Sequence, residues 1–239
     1  MKLIPALLLG GMLAVSGCSK EVKKIEPYSP ELVKKAEAGD ANAQCDLGAC
    51  YRDGTGVTKD KKEAAKWFKK SAEQGNATAQ YCLGACYYYG TGVGKDEKEA
   101  VNWYTKSAEQ GEADAQCYLG LAYRECKGVT QDHKEALKWF KKSAKQGYWY
   151  AQYLVGTSYR DGKGVTQDYK EAAKWFEKAE QGHPSAKGSV CLSYYQVGVC
   201  YRDGKGVTQN YKEAAKWFTK AAEQGNEQAK EALEKIKPK

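Results

Sequence analysis

The sequence predicts an all-α solenoid of tandem helix–turn–helix repeats, and three recurrences predict it. A tryptophan–aromatic pair appears at Trp67-Phe68, Trp103-Tyr104, Trp139-Phe140, Trp175-Phe176 and Trp217-Phe218, with spacings of 36, 36, 36 and 42 residues. Leu47-Gly48 returns as Leu83-Gly84, Leu119-Gly120, Val155-Gly156 and Val197-Gly198. The pair Asp60/Glu63 returns as Asp96/Glu99, Asp132/Glu135, Asp168/Glu171 and Asn210/Glu213. A fixed period in this range marks stacked supersecondary units, none of which buries its apolar face alone.

Within one repeat, Ala43, Leu47, Gly48 and Tyr51 fall on one face of a first helix. Gly48 carries no side chain, so a neighbouring helix can approach there. Gly54, Gly56 and Val57 then turn the chain, with Gly54 suited to the left-handed position past a helix end. The second helix opens on Asp60-x-x-Glu63, where Asp caps free N–H groups and Glu is expected to reach back. Ala64, Trp67, Phe68 and Ala72 form its apolar stripe, and Gly75 ends it.

Taken in order, residues 1–17 read as a targeting segment. Lys2 precedes an apolar run, Leu3 to Val15, that is too short to span a bilayer. Val15-Ser16-Gly17-Cys18 resembles the bacterial lipobox, which implies cleavage before Cys18 and lipid attachment to its sulfur. Residues 18–28 then form a lipidated tether. Ser19 after the cysteine, by resemblance to Gram-negative lipoproteins, implies an outer-membrane protein on the periplasmic or the cell-surface side.

Residues 29–239 are expected to form the solenoid. Ser29-Pro30-Glu31 starts a lone capping helix, with Ser as N-cap and Pro in the first turn. Five repeats follow at about 40–75, 76–111, 112–147, 148–182 and 183–225. The fourth is one residue short. The fifth carries seven extra residues near Ala186–Leu192, so its first helix is expected to resume at about Ser193. Residues 226–236 begin a C-terminal cap, in which Glu234 stands where Gly84 would be and closes the stack with a charge.

The repeated string A-x-x-x-L-G-x-x-Y-x-x-G-x-G-V-x-x-D-x-x-E-A-x-x-W-[FY]-x-K-[SA]-A-x-Q-G resembles the Sel1-like repeat, a relative of the tetratricopeptide repeat. The resemblance covers about 200 of 239 residues. It implies a right-handed α/α superhelix used for protein–protein contacts, with the first helices lining the concave face.

Net charge is +8, spread through lysine-rich second helices such as KEAAKWFKK. That distribution reads as a solvated helix face. It lacks the clustering that nucleic-acid binding requires, so a nucleic-acid partner is not expected. Of nine cysteines, Cys18 is reserved for lipid. The other eight (Cys45, Cys50, Cys82, Cys86, Cys117, Cys126, Cys191 and Cys200) are even in number, as disulfide pairing in an oxidising compartment requires. Cys117 and Cys126 would sit ~13 Å apart on one helix, beyond the ~7 Å reach of a bridge. Bridges between first helices are therefore expected, with Cys50–Cys82 and Cys86–Cys117 among the candidates. Cys191–Cys200 is expected to close within the fifth repeat if the insertion folds back. Cysteine-rich members of the resembled family pair their cysteines at a spacing this chain lacks. No metal or other cofactor is expected: CxxC is absent, and His133 and His183 stand apart in turns.

No catalytic residues emerge. Some cysteine-rich relatives imply penicillin binding, weak β-lactam hydrolysis or action on peptidoglycan fragments. The chain lacks both Ser-x-x-Lys and Lys-Thr-Gly, and its Asp/Glu pairs are helix caps by position. The favoured partner is a protein or an extended peptide, with the membrane reached through the N-terminal lipid. Candidate contacts are Tyr81, Tyr88, Tyr89, Tyr118, Tyr153 and Tyr195, with Arg52, Arg124, Arg160 and Arg202 at the helix ends, because Tyr and Arg are enriched in binding hot spots. Tyr148, Trp149 and Tyr150 replace small or polar residues of other repeats, which suggests either an exposed patch or a packing filler.

Overall fold

The computed structural model describes residues 25–183 and 186–236. The targeting segment, Cys18 and most of the tether lie outside the described residues. Among those described there are twelve α-helices and no strand. They divide into two compact units, Lys23–Ser143 and a second built on Ala144–Lys239.

The first unit opens with α1 (Pro30–Glu37), whose N-cap Ser29 accepts from the Leu32 N–H. Then come α2 (Ala41–Asp53), α3 (Lys61–Glu73), α4 (Ala77–Tyr89), α5 (Glu97–Glu109), α6 (Ala113–Glu125) and α7 (His133–Lys145). The second unit holds α8 (Trp149–Asp161), α9 (Tyr169–Gly182), α10 (Ala186–Asp203), α11 (Tyr211–Glu223) and α12 (Glu227–Ile236). Within the units, each helix packs on the next from α1 to α6 and from α8 to α12, as stacked repeats require.

The small residue of each first helix is a contact site. A Cβ on Gly48 would lie 2.8 Å from the Phe68 ring, and one on Gly198 would lie 2.6 Å from Phe218. The ring that fills this space is wholly buried in every repeat: Phe68, Tyr104, Phe140, Phe176 and Phe218.

Two further stitches hold the helices. Ser71, Ser107 and Ser143 each donate to the carbonyl of the first residue of the preceding helix: Ala41, Ala77 and Ala113. The buried glutamines Gln44, Gln80, Gln116 and Gln152 donate to Ala36, Ala72, Ala108 and Ala144, in each case on the second-type helix of the repeat before. These glutamines satisfy carbonyls near a helix end, which otherwise lack intrahelical partners.

The Asp caps are present. Asp60 Oδ1 accepts from the N–H groups of Lys62 and Glu63, and Asp96, Asp132 and Asp168 repeat the pattern. The reciprocal half of the box does not form as expected. The Asp60 N–H is already taken by the Tyr51 carbonyl at 2.9 Å. Glu63, Glu135 and Glu171 turn instead to Lys66, Lys138 and Lys174, three residues on.

The fifth repeat also differs from expectation. Its first helix begins at Ala186 rather than near Ser193, so the extra residues lengthen α10 to 18 residues. Cys191 and Cys200 therefore share one continuous helix, about 13 Å apart along its axis, and cannot close a bridge.

A left-handed residue ends the first helix in the repeats at Gly54, Gly90, Gly162 and Gly204, but the third repeat uses Cys126 at φ 58°. It is the sole non-glycine residue with positive φ among those described. L side chains resist this conformation by ~1–2 kcal/mol. Cys126→Gly is expected to stabilise the chain by about 1 kcal/mol, measured by urea unfolding.

Candidate binding surface on the first helices

The structure sorts the candidate aromatics into two classes. Tyr81 (8 % exposed), Tyr118 (5 %) and Trp149 (8 %) are buried, which corrects their placement on a binding surface. Tyr81 and Tyr118 lie 5.7 Å apart by ring centroids, and both contact Tyr104, so they fill space between repeats. Trp149 stacks on His183 at 5.7 Å, and Tyr148 is buried as well. The Tyr148–Tyr150 run is thus mostly a packing filler. Tyr88, Tyr89, Tyr150, Tyr153 and Tyr195 are half-buried and keep part of their surface in solvent.

The arginines close the first helices. Arg52 and Arg202 each grip the acidic residue that follows, Asp53 or Asp203, through Nε and Nη2. Their guanidinium groups lie over Phe68 and Phe218 at 5.8 and 6.0 Å, and Arg124 sits over Phe140 in the same way. These are cation–π distances.

The second repeat breaks that rule three times at one place. Tyr88 stands for Arg, Tyr89 for the acid and Tyr104 for Phe. The result is a cluster in which Tyr88 meets Tyr89 at 4.9 Å and Tyr104 at 6.5 Å. Burial pushes the Tyr88 phenol up to about 12. Burial also pushes the Tyr89 phenol up. The wholly buried Tyr104 hydroxyl has no hydrogen-bond partner. An unsatisfied buried polar group costs ~1–3 kcal/mol. Tyr104→Phe, which restores the residue of the other repeats, is expected to raise stability by about 1 kcal/mol in urea unfolding.

All eight described cysteines are thiols in the structure. Cys50 Sγ faces the Glu26 carbonyl at 3.8 Å, whereas Cys82 Sγ lies against Arg52 Nη1 at 3.7 Å, so these two are directed to different partners. Burial pushes Cys82 up to about 11 and Cys86 up to about 12, which keeps both protonated at neutral pH. Among the described residues no group of three or more His, Cys, Asp or Glu side chains could hold a metal ion. No helix among them is long and apolar enough to cross a membrane.

In the second unit, a shallow groove of about 580 Å³ runs along α10 from the end of α8. Arg160, Tyr169, Tyr195, Gln196, Cys200 and Arg202 line it. The second-type helices present a different surface, with Lys70, Lys106, Lys142 and Lys178 laid over the Trp67, Trp103, Trp139 and Trp175 rings at 3.8, 4.1, 3.8 and 4.4 Å. The lysine ammonium groups there are fixed to their own helix.

Comparison with known proteins follows the repeat register. The Sel1 repeat family model matches residues 41–76, 77–112, 113–148, 149–182 and 191–226. The chain is similar to c5321, a protective antigen of uropathogenic Escherichia coli strains with an SLR fold, at 37% identity and a TM-score of 0.64. That match covers 86% of this chain and 50% of c5321, so the chain spans half the length of that protein. It is also similar to a Sel1 repeat protein from Oxalobacter formigenes, at 32% identity and a TM-score of 0.65, over 87% of this chain and 80% of that one. A sel1 repeat protein from Klebsiella pneumoniae subsp. pneumoniae shares the fold at 22% identity and a TM-score of 0.52, over 88% and 99% of the two chains. No curated relative matches.

Proposed function

Since the chain belongs to the Sel1 repeat family, whose members generally mediate protein–protein interaction on a generally non-catalytic scaffold, we propose that it binds a protein or extended peptide along its first-helix face. We further propose that Cys18 carries lipid and holds this scaffold at the bacterial outer membrane. One observation carries the binding reading. Half-buried tyrosines collect on α4, α8 and α10, with helix-ending arginines on α8 and α10, while the second-type helices present lysine-covered tryptophans. Tyr and Arg are the side chains that most often dominate binding energy.

The test is a pull-down from detergent-solubilised envelope, with a Cys18→Ser chain exported to the periplasm as bait. A second bait carries Tyr88→Ala, Tyr89→Ala, Tyr150→Ala and Tyr195→Ala, all at half-buried positions. A protein captured by the first bait and lost with the second is the expected result. Capture that ignores these tyrosines would move the binding surface elsewhere.

A further inference from the structure

The chain ahead of α1 is pinned where it enters the fold. The Glu26 N–H donates to Asp46 Oδ2 at 3.2 Å, and Cys50 Sγ donates to the Glu26 carbonyl at 3.8 Å. Lys35 Nζ holds Glu26 Oε1 at 2.9 Å. Tyr28 lies edge-on to Tyr51 at 6.4 Å, and a Cβ on Gly56 would come within 2.9 Å of it. Glu26 is therefore tied to α1 and α2. It stands eight residues after Cys18, a reach of at most ~29 Å for a fully extended chain. A lipid on Cys18 would hold the first unit within that distance of the membrane surface. At that range docking of protein on membrane is intramolecular, so even a weak surface attraction counts.

Charge decides which face is attracted. The first helices of the first unit, α2, α4 and α6, carry two arginines against four acids: Asp46, Asp53, Asp114 and Glu125. By contrast α3 carries five lysines against two glutamates, and α7 five against one. Between them α5 has two lysines against three glutamates, of which Glu97 is held by Lys95 and Lys127.

The lysines also stand outermost. Where they pair, the Lys66 and Lys138 side chains are 68% and 59% exposed, while Glu63 and Glu135 are 31% and 29% exposed beneath them. Lys62, Lys70, Lys134 and Lys142 are exposed, and no ion pair takes them among the described residues. Asp60 and Asp132, beside Lys62 and Lys134, face the helix N-termini that they cap. Lys98 and Lys106 of α5 continue both rows, 36 residues from each neighbour. The outer layer of this face is cationic, and a lysine ammonium is a compact charge suited to phosphate.

We propose that the lysine face of α3, α5 and α7 docks on anionic phospholipid headgroups of the membrane that anchors the chain, leaving the first helices free for the protein partner. The proposal rests on the reading of Cys18 as lipidated and adds the side on which the scaffold lies. Each basic residue brought near an anionic surface adds to the attraction.

The test is flotation with lipid vesicles of the chain from Ser19 onward. That form lacks the apolar run and the lipid site but keeps every described residue. One set of vesicles is phosphatidylglycerol and phosphatidylcholine in equal parts, and the other is phosphatidylcholine alone. The variant carries Lys62→Gln, Lys70→Gln, Lys134→Gln and Lys142→Gln. A control loses the same charge in the second unit, through Lys163→Gln, Lys205→Gln, Lys230→Gln and Lys235→Gln. Each is first shown to keep its helical circular dichroism and melting temperature. If the variant does not fold, the pair Lys62→Gln and Lys134→Gln, which leaves the tryptophans covered, still decides the question. The expected result is binding to the anionic vesicles alone, reversed by salt. Affinity should fall at least ~tenfold in the variant and less than ~threefold in the control. The proposal is overturned if the chain floats with neither vesicle or with both alike, or if the control loses as much as the variant. Mass spectrometry of the full chain from cell membranes reads the anchor separately. A lipid-modified Cys18 without vesicle binding would overturn the docked face and leave the anchor intact. Vesicle binding with an unmodified Cys18 would uphold the face and remove the anchor. Bare vesicles, together with an acidic protein captured through these lysines, would overturn the proposal and give the face to that protein.

Discussion

Phe140→Ala is expected to cost about 3–5 kcal/mol. Phe140 is wholly buried, and its ring fills the space left by Gly120, where a Cβ would come within 2.6 Å. Removing the ring leaves a cavity that a glycine backbone cannot fill. In a repeat array each repeat contacts chiefly its neighbours, so the damage should be local. Urea unfolding measures the loss. Hydrogen exchange should show α6 and α7 opening before α2 and α3. A loss below 1 kcal/mol would mean that the ring does not hold the repeat together.

Gly156→Ala approaches the same contact from the other side, in the second unit. The added Cβ would meet three ring atoms of Phe176 at 2.5, 2.6 and 3.1 Å. Phe176 is itself wholly buried and in contact with Tyr153 and Tyr194, so it has little room to yield. Overpacking of this kind costs about 1–3 kcal/mol. The partner substitution Phe176→Leu frees the space, so the double variant should lose clearly less than the sum of the two single losses, as expected for residues in contact. Strict additivity would contradict the packing described.

Much of the fold was legible in the sequence because its signals are local. The Asp and Asn caps act within three residues, and the glycines that end α2, α4, α8 and α10 announce themselves by type. The Leu-Gly pair was read as a close approach, and the ring distances at Gly48 and Gly198 agree. What stayed hidden depends on contacts with the neighbouring repeat. Gln80 is an ordinary polar residue by composition, yet its amide is buried against the Ala72 carbonyl of the neighbouring repeat. The recurring Ala-Gln pair was the available signal, since a polar residue repeated inside an apolar stripe calls for a partner.

The candidate site was less legible, for the same reason. Tyr81 and Tyr88 lie seven residues apart on one helix, yet Tyr81 is covered by Tyr104 and Tyr118 while Tyr88 is half-exposed. Local pattern assigns a helix face, but the next repeat decides what covers it. The insertion that lengthens α10 was misread because Lys187 and Gly188 break no helix when Val190 and Tyr194 farther along it are wholly buried. The groove residue Gln196 drew no attention because the position changes type in every repeat, from Asp46 to Cys82, Tyr118 and Leu154.

Site-specific photo-crosslinking in living cells tests the central claim most directly. A photoreactive phenylalanine analogue would be placed at Tyr88, Tyr150 or Tyr195 on the first helices, and at the exposed Lys66, Lys138 or Lys174 on the second-type helices. Adducts of one partner protein from the tyrosine positions, and none from the lysine positions, are the result this account predicts. Adducts from the lysine positions alone would contradict it, because the partner would then lie on the face that the tryptophans and lysines cover.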